Sequence, residues 1–176
     1  SVDLIASYWA GPAIAHIFLS FGFAGKDYLA ISIERRDERG EDYSTIKGLF
    51  KQYELFYNVS DERDVIRVRT NYRNEDVFLY RLRMSPEHAR QFLLVYLERV
   101  NELADHAEFY HLLSNSCTIN IVRYANAAGR AGRSDFRHFL NGFVDGYLYH
   151  SGRLDSPLPF DELRRRSWIN DAARAA

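Results

Sequence analysis

Two apolar segments close together near the start of the chain constrain the fold most. Residues 13–23 are mostly apolar, residues 28–35 carry apolar side chains at most positions, and the four residues between them include Gly25. Two such segments joined by a short turn that contains glycine predict a β-hairpin. We therefore expect an antiparallel sheet in the first half of the chain.

The remainder of the first half carries weaker signals. Residues 64–70 alternate apolar and basic side chains, which predicts a half-exposed strand, and residues 76–83 resemble its partner. Residues 46–57 are apolar and aromatic and fit a helix or a strand equally well. The charged stretch from Arg36 to Asp42 indicates a solvated loop.

The second half has the pattern of helices. Ser85 followed by Pro86 is typical of a helix start, and that helix is predicted to run to about residue 104. Three more helices are predicted, one from Cys117 to about 127–129, a short one over about 134–141 and one from about Phe160. Strands followed by helices are typical of the α+β class. We therefore predict an antiparallel sheet packed on helices.

Composition bounds the size and the partners of the chain. A length of 176 residues suits one domain, and the sequence opens at Ser1 without a methionine, so we expect a single domain excised from a longer protein. The chain has 23 basic and 24 acidic residues, which gives no basic surface for nucleic acid. It has neither an apolar run long enough to span a membrane nor a signal-peptide pattern.

Cys117 carries the strongest chemical signal. As the only cysteine, it excludes an intrachain disulfide and a site with several cysteine ligands. Ser114, Asn115 and Ser116 directly precede it and are good helix-capping residues, which predicts a thiol in the first turn of a helix. Unpaired N–H groups and the helix dipole there favour the thiolate. The alternative is a small apolar packing residue, which needs no capping residues before it.

His16 is the best candidate for a base that activates this thiol. A thiol nucleophile needs a proton acceptor and a third group that orients the acceptor. His16 stands inside an apolar strand and shares one face with Phe18 and Ser20, because side chains alternate along a strand. The alternative is a core histidine held by hydrogen bonds. Together with Cys117, the residue is predicted to be catalytic.

The hairpin offers two candidates for the third group. A register that places Ser20 opposite Ala30 also places His16 opposite Glu34, so the two side chains would share one side of the sheet. Glu34 would then orient the ring of His16 and favour its protonated form. A slip of one residue would send Glu34 to the other face, and Ser32, two residues before it, is the second candidate. The alternative for Glu34 is a surface charge at a strand end.

Two further sets of polar residues stand out in the sequence. A charged cluster could stabilise the sheet by ion pairing or bind an anionic group, and it comprises Glu62, Arg63, Asp64, Arg67 and Arg69. The sequence has no glycine-rich phosphate loop and no Gly-x-Ser-x-Gly elbow, and His106 and His111 lack the spacing of a helical metal pair. We therefore predict neither a metal nor a cofactor.

The chain order of histidine, acid and cysteine resembles that of circularly permuted papain-like hydrolases and acyltransferases, such as the lecithin retinol acyltransferase group. More closely, the chain resembles the Lnb N-terminal periplasmic domain family of bacterial envelope proteins. The resemblance rests on five segments, His16–Phe23, Leu29–Glu34, Gln52–Leu55, Asp61–Ile66 and Ser116–Thr118. It implies a permuted, NlpC-like fold with the catalytic cysteine at a helix N-terminus.

This resemblance also implies a function, the N-acylation of bacterial lipoproteins. The expected substrates are a phospholipid and a lipoprotein at a membrane surface, in a periplasmic domain that is anchored through segments outside this chain. The implied mechanism is acyl transfer through an acyl-thioester on Cys117, with His16 as the base. Two alternatives remain open, a cell-wall amidase or peptidase of NlpC type and a non-catalytic binding domain.

The chain departs from the family pattern at Ser116, beside the nucleophile, and at His111, where the resemblance implies an asparagine after the tyrosine. The family pattern has asparagine before the cysteine, where this chain has Ser116, and serine has no amide to donate to an oxyanion. Backbone N–H groups at the helix start, together with Asn115, Ser116 and Thr118, are then the candidates for orienting groups and oxyanion donors.

Overall fold

A six-stranded sheet, antiparallel at every pairing, forms the middle layer of the structure. The structure is a computed structural model that describes residues 1–9, 11–24, 27–36, 53–111, 114–129 and 141–175. The strands are β1 (Val2–Tyr8), β2 (Ala15–Gly22), β3 (Tyr28–Arg36), β4 (Tyr53–Asp61), β5 (Asp76–Arg81) and β6 (Phe109–Tyr110). They lie side by side in the order β5-β1-β2-β3-β4-β6. With helices on the sheet, the predicted α+β class is confirmed.

The helices occupy both faces of this sheet. The α-helices are α1 (Glu62–Arg67), α2 (Pro86–Asp105), α3 (Cys117–Ala127), α4 (Val144–His150), α5 (Phe160–Ser167) and α6 (Asn170–Ala175). A π-helix covers Val68–Tyr72, and a 3₁₀ turn covers Asn141–Phe143. None of the described helices is both long and apolar enough to cross a membrane.

The predicted hairpin is confirmed in its position and its register. Strands β2 and β3 pair with Ser20 opposite Ala30, and the ladder runs from Leu19 opposite Ile31 to the turn. Two residues of the predicted turn, Gly25 and Lys26, lie outside the described residues. The short turn sets this register, because both strands have buried residues on both faces and alternation does not distinguish the faces.

The prediction of a strand over residues 64–70 is wrong, because this segment is helical. Asp61 caps α1 by accepting a hydrogen bond from the backbone N–H of Arg63, and acidic residues occupy the first turn. Val65 and Ile66 are buried on one side of the helix, which the alternating pattern disguised. The strand predicted at 76–83 exists as β5, but its partner is β1, which the sequence pattern did not reveal.

The helix starts are predicted well. Helix α2 begins at Pro86, and the Ser85 side chain accepts a hydrogen bond from the backbone N–H of His88. Helices α3 and α5 begin at the predicted residues, but the side chain of Ser116 makes no capping hydrogen bond to α3 within the described part of the chain. The predictions for residues 37–52 and for the helix at about 134–141 lie outside the described residues, except Asn141, which begins the 3₁₀ turn.

Two apolar layers pack on opposite faces of the sheet. On the first, which we name the α3 face, alternate residues of β2 pack with Phe92, Tyr96, Cys117 and Tyr124 from α2 and α3. On the second, the α1 face, a smaller cluster joins the sheet to α1 and α6, and its buried members are Ile5, Phe18, Ala30, Val65, Ile66 and Val77. Neighbouring residues of β2 therefore belong to different layers.

Candidate active site

His16, Ser32 and Glu34 form a chain of hydrogen bonds on the α1 face. The Nε2 atom of His16 lies 2.6 Å from the Oγ atom of Ser32, and this hydroxyl donates to Oε1 of Glu34 at 2.8 Å. Nε2 also lies 3.7 Å from the same carboxylate oxygen. From the sequence, Ser32 and Glu34 were alternative candidates for the group that orients His16. In the structure both belong to one chain of hydrogen bonds, with Ser32 between His16 and Glu34.

This chain assigns the tautomer of the imidazole. The hydroxyl of Ser32 has one proton, and that proton is directed to Glu34. Its oxygen must therefore accept the bond from His16, so Nε2 carries the ring proton. The lone pair then resides on Nδ1, which becomes the basic atom of the ring.

Arg69 extends the chain from the π-helix. Its guanidinium donates to Oε1 of Glu34 at 3.2 Å and to Oε2 of Glu75 at 3.2 Å, while Ser7 donates to Glu75 at 2.5 Å. Ser7 in turn pairs with His16 across β1 and β2. The hydrogen-bonded series thus runs from His16 to Ser7, its register partner on β1, and we name these groups the polar ring. Glu75 and Ser7 were missed from sequence, although a serine within a fully buried apolar strand was an available signal.

Burial keeps the imidazole neutral. Desolvation, reinforced by the positive charge of Arg69 and opposed by Glu34, lowers the pKa of His16 to about 3. Glu34 favours the protonated ring, as expected, but burial and Arg69 outweigh the attraction of the carboxylate. Burial would raise the pKa of Glu34, but His16, Arg69 and the Ser32 hydrogen bond together lower it.

Cys117 is the first residue of α3, as predicted, and it is buried on the α3 face. The thiol is 3% exposed and its Sγ atom lies 3.8 Å from Oγ1 of Thr118. Asn115 fixes the approach to the helix, because its amide donates to Glu108 and to the carbonyl of Phe109. Asn115 thus connects the start of α3 to β6 by hydrogen bonds.

The structure does not bring the thiol and the imidazole onto one face. His16 stacks with Phe18 at 5.7 Å on the α1 face, whereas Ala15 and Ile17 share the apolar cluster of Cys117. Helix α3 nevertheless packs against both β2 and β3. The ladder between these strands runs only from Leu19 onward, and at the level of His16 the strands are joined by side chains.

The predicted charged cluster divides into separate roles. Arg63 is exposed and binds both oxygens of Asp61, the cap of α1. Arg67 is exposed in the last turn of α1, where a cation suits the helix dipole. Burial raises the pKa of Glu62. Of this charged cluster, Asp64 and Arg69 line the polar cavity beside Glu34.

Cavities lie on both faces of the sheet in the described part of the chain. A polar one of about 250 Å³ opens beside Glu34, and its other lining residues are Asn58, Ser60, Asp64, Val65, Val68, Arg69 and Arg73. An apolar one of about 70 Å³ lies on the α3 face, between the sheet and the helices, and Ile121, Val122 and Ala125 of α3 line it. Within the described ranges, no group of histidine, cysteine and carboxylate side chains could hold a metal ion.

A family model described as the Lnb N-terminal periplasmic domain matches residues 1–144. The matched region includes all six strands, the polar ring and the whole of α3. No match was found among curated proteins or among solved structures.

Proposed function

The chain belongs to the Lnb N-terminal periplasmic domain family, which places it in the periplasm, and from that premise we propose that it is a thiol acyltransferase of the bacterial envelope. The observation that carries the proposal is the hydrogen-bond chain from His16 to Ser32 and Glu34, which directs a basic Nδ1 away from the carboxylate. The order of His16, Glu34 and Cys117 in the chain also suits a permuted papain-like fold.

The first half-reaction forms a thioester. His16 Nδ1 takes the proton from the Cys117 sulfur, and the thiolate forms a bond to the ester carbonyl carbon of a phospholipid. The ester C–O bond breaks, and the departing lysophospholipid oxygen takes the proton from the imidazolium. Backbone N–H groups at the start of α3 would hold the oxyanion, which removes the need for an asparagine at Ser116.

The second half-reaction releases the acyl group. The amine of a lipoprotein attacks the thioester carbon and passes a proton to Nδ1, and the C–S bond breaks. The thiolate then recovers the proton, which restores the resting pair. Access to a lipid surface would come from segments outside this chain that attach the domain to the membrane.

The thiol and the imidazole have to meet for this chemistry. We place their meeting point between β2 and β3 at the level of His16, where side chains join the strands and α3 packs against both. There the ring can keep its bond to Ser32 while Nδ1 turns to the sulfur. A thiolate beside the ring would also stabilise the imidazolium that forms, offsetting the low basicity that burial gives it.

Intact-mass spectrometry tests the proposal. The protein is incubated with a phospholipid analogue that has a reactive acyl ester, and an adduct of the acyl mass is expected on the wild type and absent from Cys117→Ala. His16→Ala should slow adduct formation by about 10²–10⁴-fold, the usual contribution of a positioned base. Ser114→Ala, close to the thiol but exposed, is the matched control and should react like the wild type.

Failure of the proposal has a distinct signature. If iodoacetamide alkylates Cys117 fully while no acyl donor gives an adduct, the thiol is accessible but acyl transfer is wrong. An adduct that forms equally fast in His16→Ala would remove the histidine from the mechanism.

One observation favours a second candidate, a cell-wall amidase or peptidase. The larger cavity is polar and lies beside Glu34 and Arg69, whereas the apolar cavity holds only about 70 Å³. A polar peptide fits a large polar cavity and a small apolar one better than a long acyl chain does. Release of amine from cell-wall peptides, lost in Cys117→Ala, would favour this candidate. The third candidate, a non-catalytic binding domain, is favoured by the opposite faces of Cys117 and His16, and it predicts neither reaction.

A further inference from the structure

We propose that Arg69 is a positioning residue: clamped between Glu34 and Glu75, it holds the Ser32–Glu34 pair in place and thereby fixes His16 as the Nε2–H tautomer. This inference deepens the proposed function, because it rests on His16 as the base, but it concerns the state of the ring before any reaction. Its test therefore does not depend on turnover.

The π-helix explains why an arginine enters the interior at this point. Helix α1 is followed directly by the π-turn Val68–Tyr72, whose residues Arg69 and Thr70 are 5% and 0% exposed. π-turns are rare, occur mostly as single turns within α-helices, and are frequently found at functional sites. A regular continuation of α1 would place position 69 at a different angle to the sheet.

Glu75 holds the Arg69 guanidinium on the side opposite Glu34. Glu75 is 7% exposed and accepts hydrogen bonds from Ser7 and Arg69, and Arg73 lies 3.9 Å away. Its backbone is fixed as well, because its N–H donates to the carbonyl of Arg69 and its carbonyl accepts from Asn170. Arg69 is therefore anchored before it reaches Glu34.

The position of Arg69 determines which hydrogen bonds Glu34 forms. A carboxylate left alone beside a histidine attracts a proton onto the ring and forms an ion pair with it. Arg69 satisfies the charge of Glu34 and opposes a second positive charge nearby, so the ring stays neutral. Glu34 then accepts a hydrogen bond from the Ser32 hydroxyl, and the Ser32 oxygen accepts a hydrogen bond from Nε2–H of His16. The tautomer is thus set by a residue that does not touch the ring.

Three charged side chains act on the pKa of the His16 ring. Glu34 on β3 favours the imidazolium, whereas Arg69 and Arg73 on and after the π-helix oppose it, and burial opposes it most. From β1, only the neutral hydroxyl of Ser7 faces His16 in the register. Removing Arg69 should therefore leave Glu34 as the dominant neighbour.

Nitrogen NMR of the imidazole rings in the intact chain is the test. Six histidines are present, and the signals of His16 are identified by their loss in His16→Gln. In the wild type we expect the pure Nε2–H tautomer and no protonation of His16 above about pH 5. In Arg69→Met we expect a mixture of tautomers and a titration midpoint raised by more than about one pH unit. Arg63→Met, which removes an exposed arginine that forms an ion pair with Asp61, should leave His16 unchanged.

Each result decides the proposal. An unchanged tautomer and midpoint in folded Arg69→Met would overturn it, as would a wild-type ring that carries its proton on Nδ1. If Arg69→Met does not fold, Arg69→Lys replaces it, because an ammonium keeps the charge but lacks the planar fork that reaches both carboxylates. A smaller loss of the Nε2–H tautomer is then expected, and no loss overturns the proposal. Absence of acyl adducts combined with the expected spectra would refute acyl transfer and leave the clamp standing.

Discussion

The two faces of the sheet are built on different principles. The α1 face holds a ring of polar groups in which His16, Glu34 and Arg69 all have partners. The α3 face holds packed aromatic rings, and there the hydroxyl of Tyr96 has no hydrogen-bond partner among the described residues. Strand β2 separates the two, so one residue step along it moves from an electrostatic interior to an apolar one.

This difference determines how each face should respond to mutation. Polar groups that share partners are coupled, because removing one leaves its neighbours buried and unsatisfied. Apolar side chains lose transfer free energy and leave cavities, and distant sites among them add independently. The two faces can therefore be distinguished by the pattern of free energies of unfolding, and Cys117 can be assigned to one or the other by its behaviour.

The largest effect is expected on the α3 face. Phe92 is 1% exposed and its ring contacts those of Phe21 and Tyr96. Phe92→Ala should lower the free energy of unfolding by about 3–5 kcal/mol, since it removes a buried ring and leaves a cavity. Urea denaturation followed by circular dichroism measures this. A loss below about 1 kcal/mol would mean that this layer is not tightly packed.

Acid should act on the α1 face. A buried neutral histidine whose pKa is lowered to about 3 takes up its proton more readily when unfolded, so its contribution to stability falls as the pH drops from about 6.5 to about 3. Glu34, whose pKa is also lowered, acts in the same direction at lower pH. Urea midpoints across this range should decline less steeply in His16→Gln. Phe92→Leu should decline in parallel with the wild type, and parallel curves for both variants would refute the assignment.

Coupling within the polar ring is the next largest effect. A double-mutant cycle of Arg69→Met and Glu75→Gln should give an interaction energy of about 1–3 kcal/mol, because each single change leaves a buried charge without its partner. The matched cycle joins Arg69→Met to Phe92→Leu on the opposite face. Additivity is expected there to within about 0.5 kcal/mol, and equal coupling in both cycles would erase the distinction between the faces.

The smallest effect concerns the unpartnered hydroxyl of the α3 face. Tyr96 is 0% exposed, and burial raises its pKa well above the ordinary value. Tyr96→Phe removes a hydroxyl that makes no hydrogen bond to described residues, so stability should be unchanged or rise by up to about 1 kcal/mol. A loss of more than about 1 kcal/mol in thermal or urea unfolding would show that the hydroxyl is bound after all.

Local signals in the sequence were sufficient for the hairpin and for the helix starts. The register of Ser20 with Ala30 follows from the short turn between the two strands, and the start of α2 follows from Ser85 and Pro86. Strand β1 was missed because it is buried on both sides, so its residues do not alternate. The segment from Glu62 to Tyr72 was misjudged because a short run of alternating residues also fits one helical face, and the cap at Asp61 was the better signal.

Long-range packing decided the rest of the candidate site. The pairing of His16 with Ser32 and Glu34 required only the hairpin, so sequence reasoning reached all three. The layer in which Cys117 lies depends on how α3 packs on β2 and β3, and no local pattern encodes that choice. The entry of Arg69 depends on the π-turn in the same way, because spacing alone places it in an exposed charged cluster.

The position of β1 between β2 and β5 has a consequence for how the chain is made. Strands β1, β2 and β3 pair with near neighbours in sequence and can assemble early, but β5 lies about seventy residues after β1. As a chain is delivered from its first residue onward, one edge of the very apolar strand β1 stays open until residues 76–81 arrive. An open edge of this kind invites pairing with other chains. The late strand β5 thus covers this edge of β1 and takes the edge position itself.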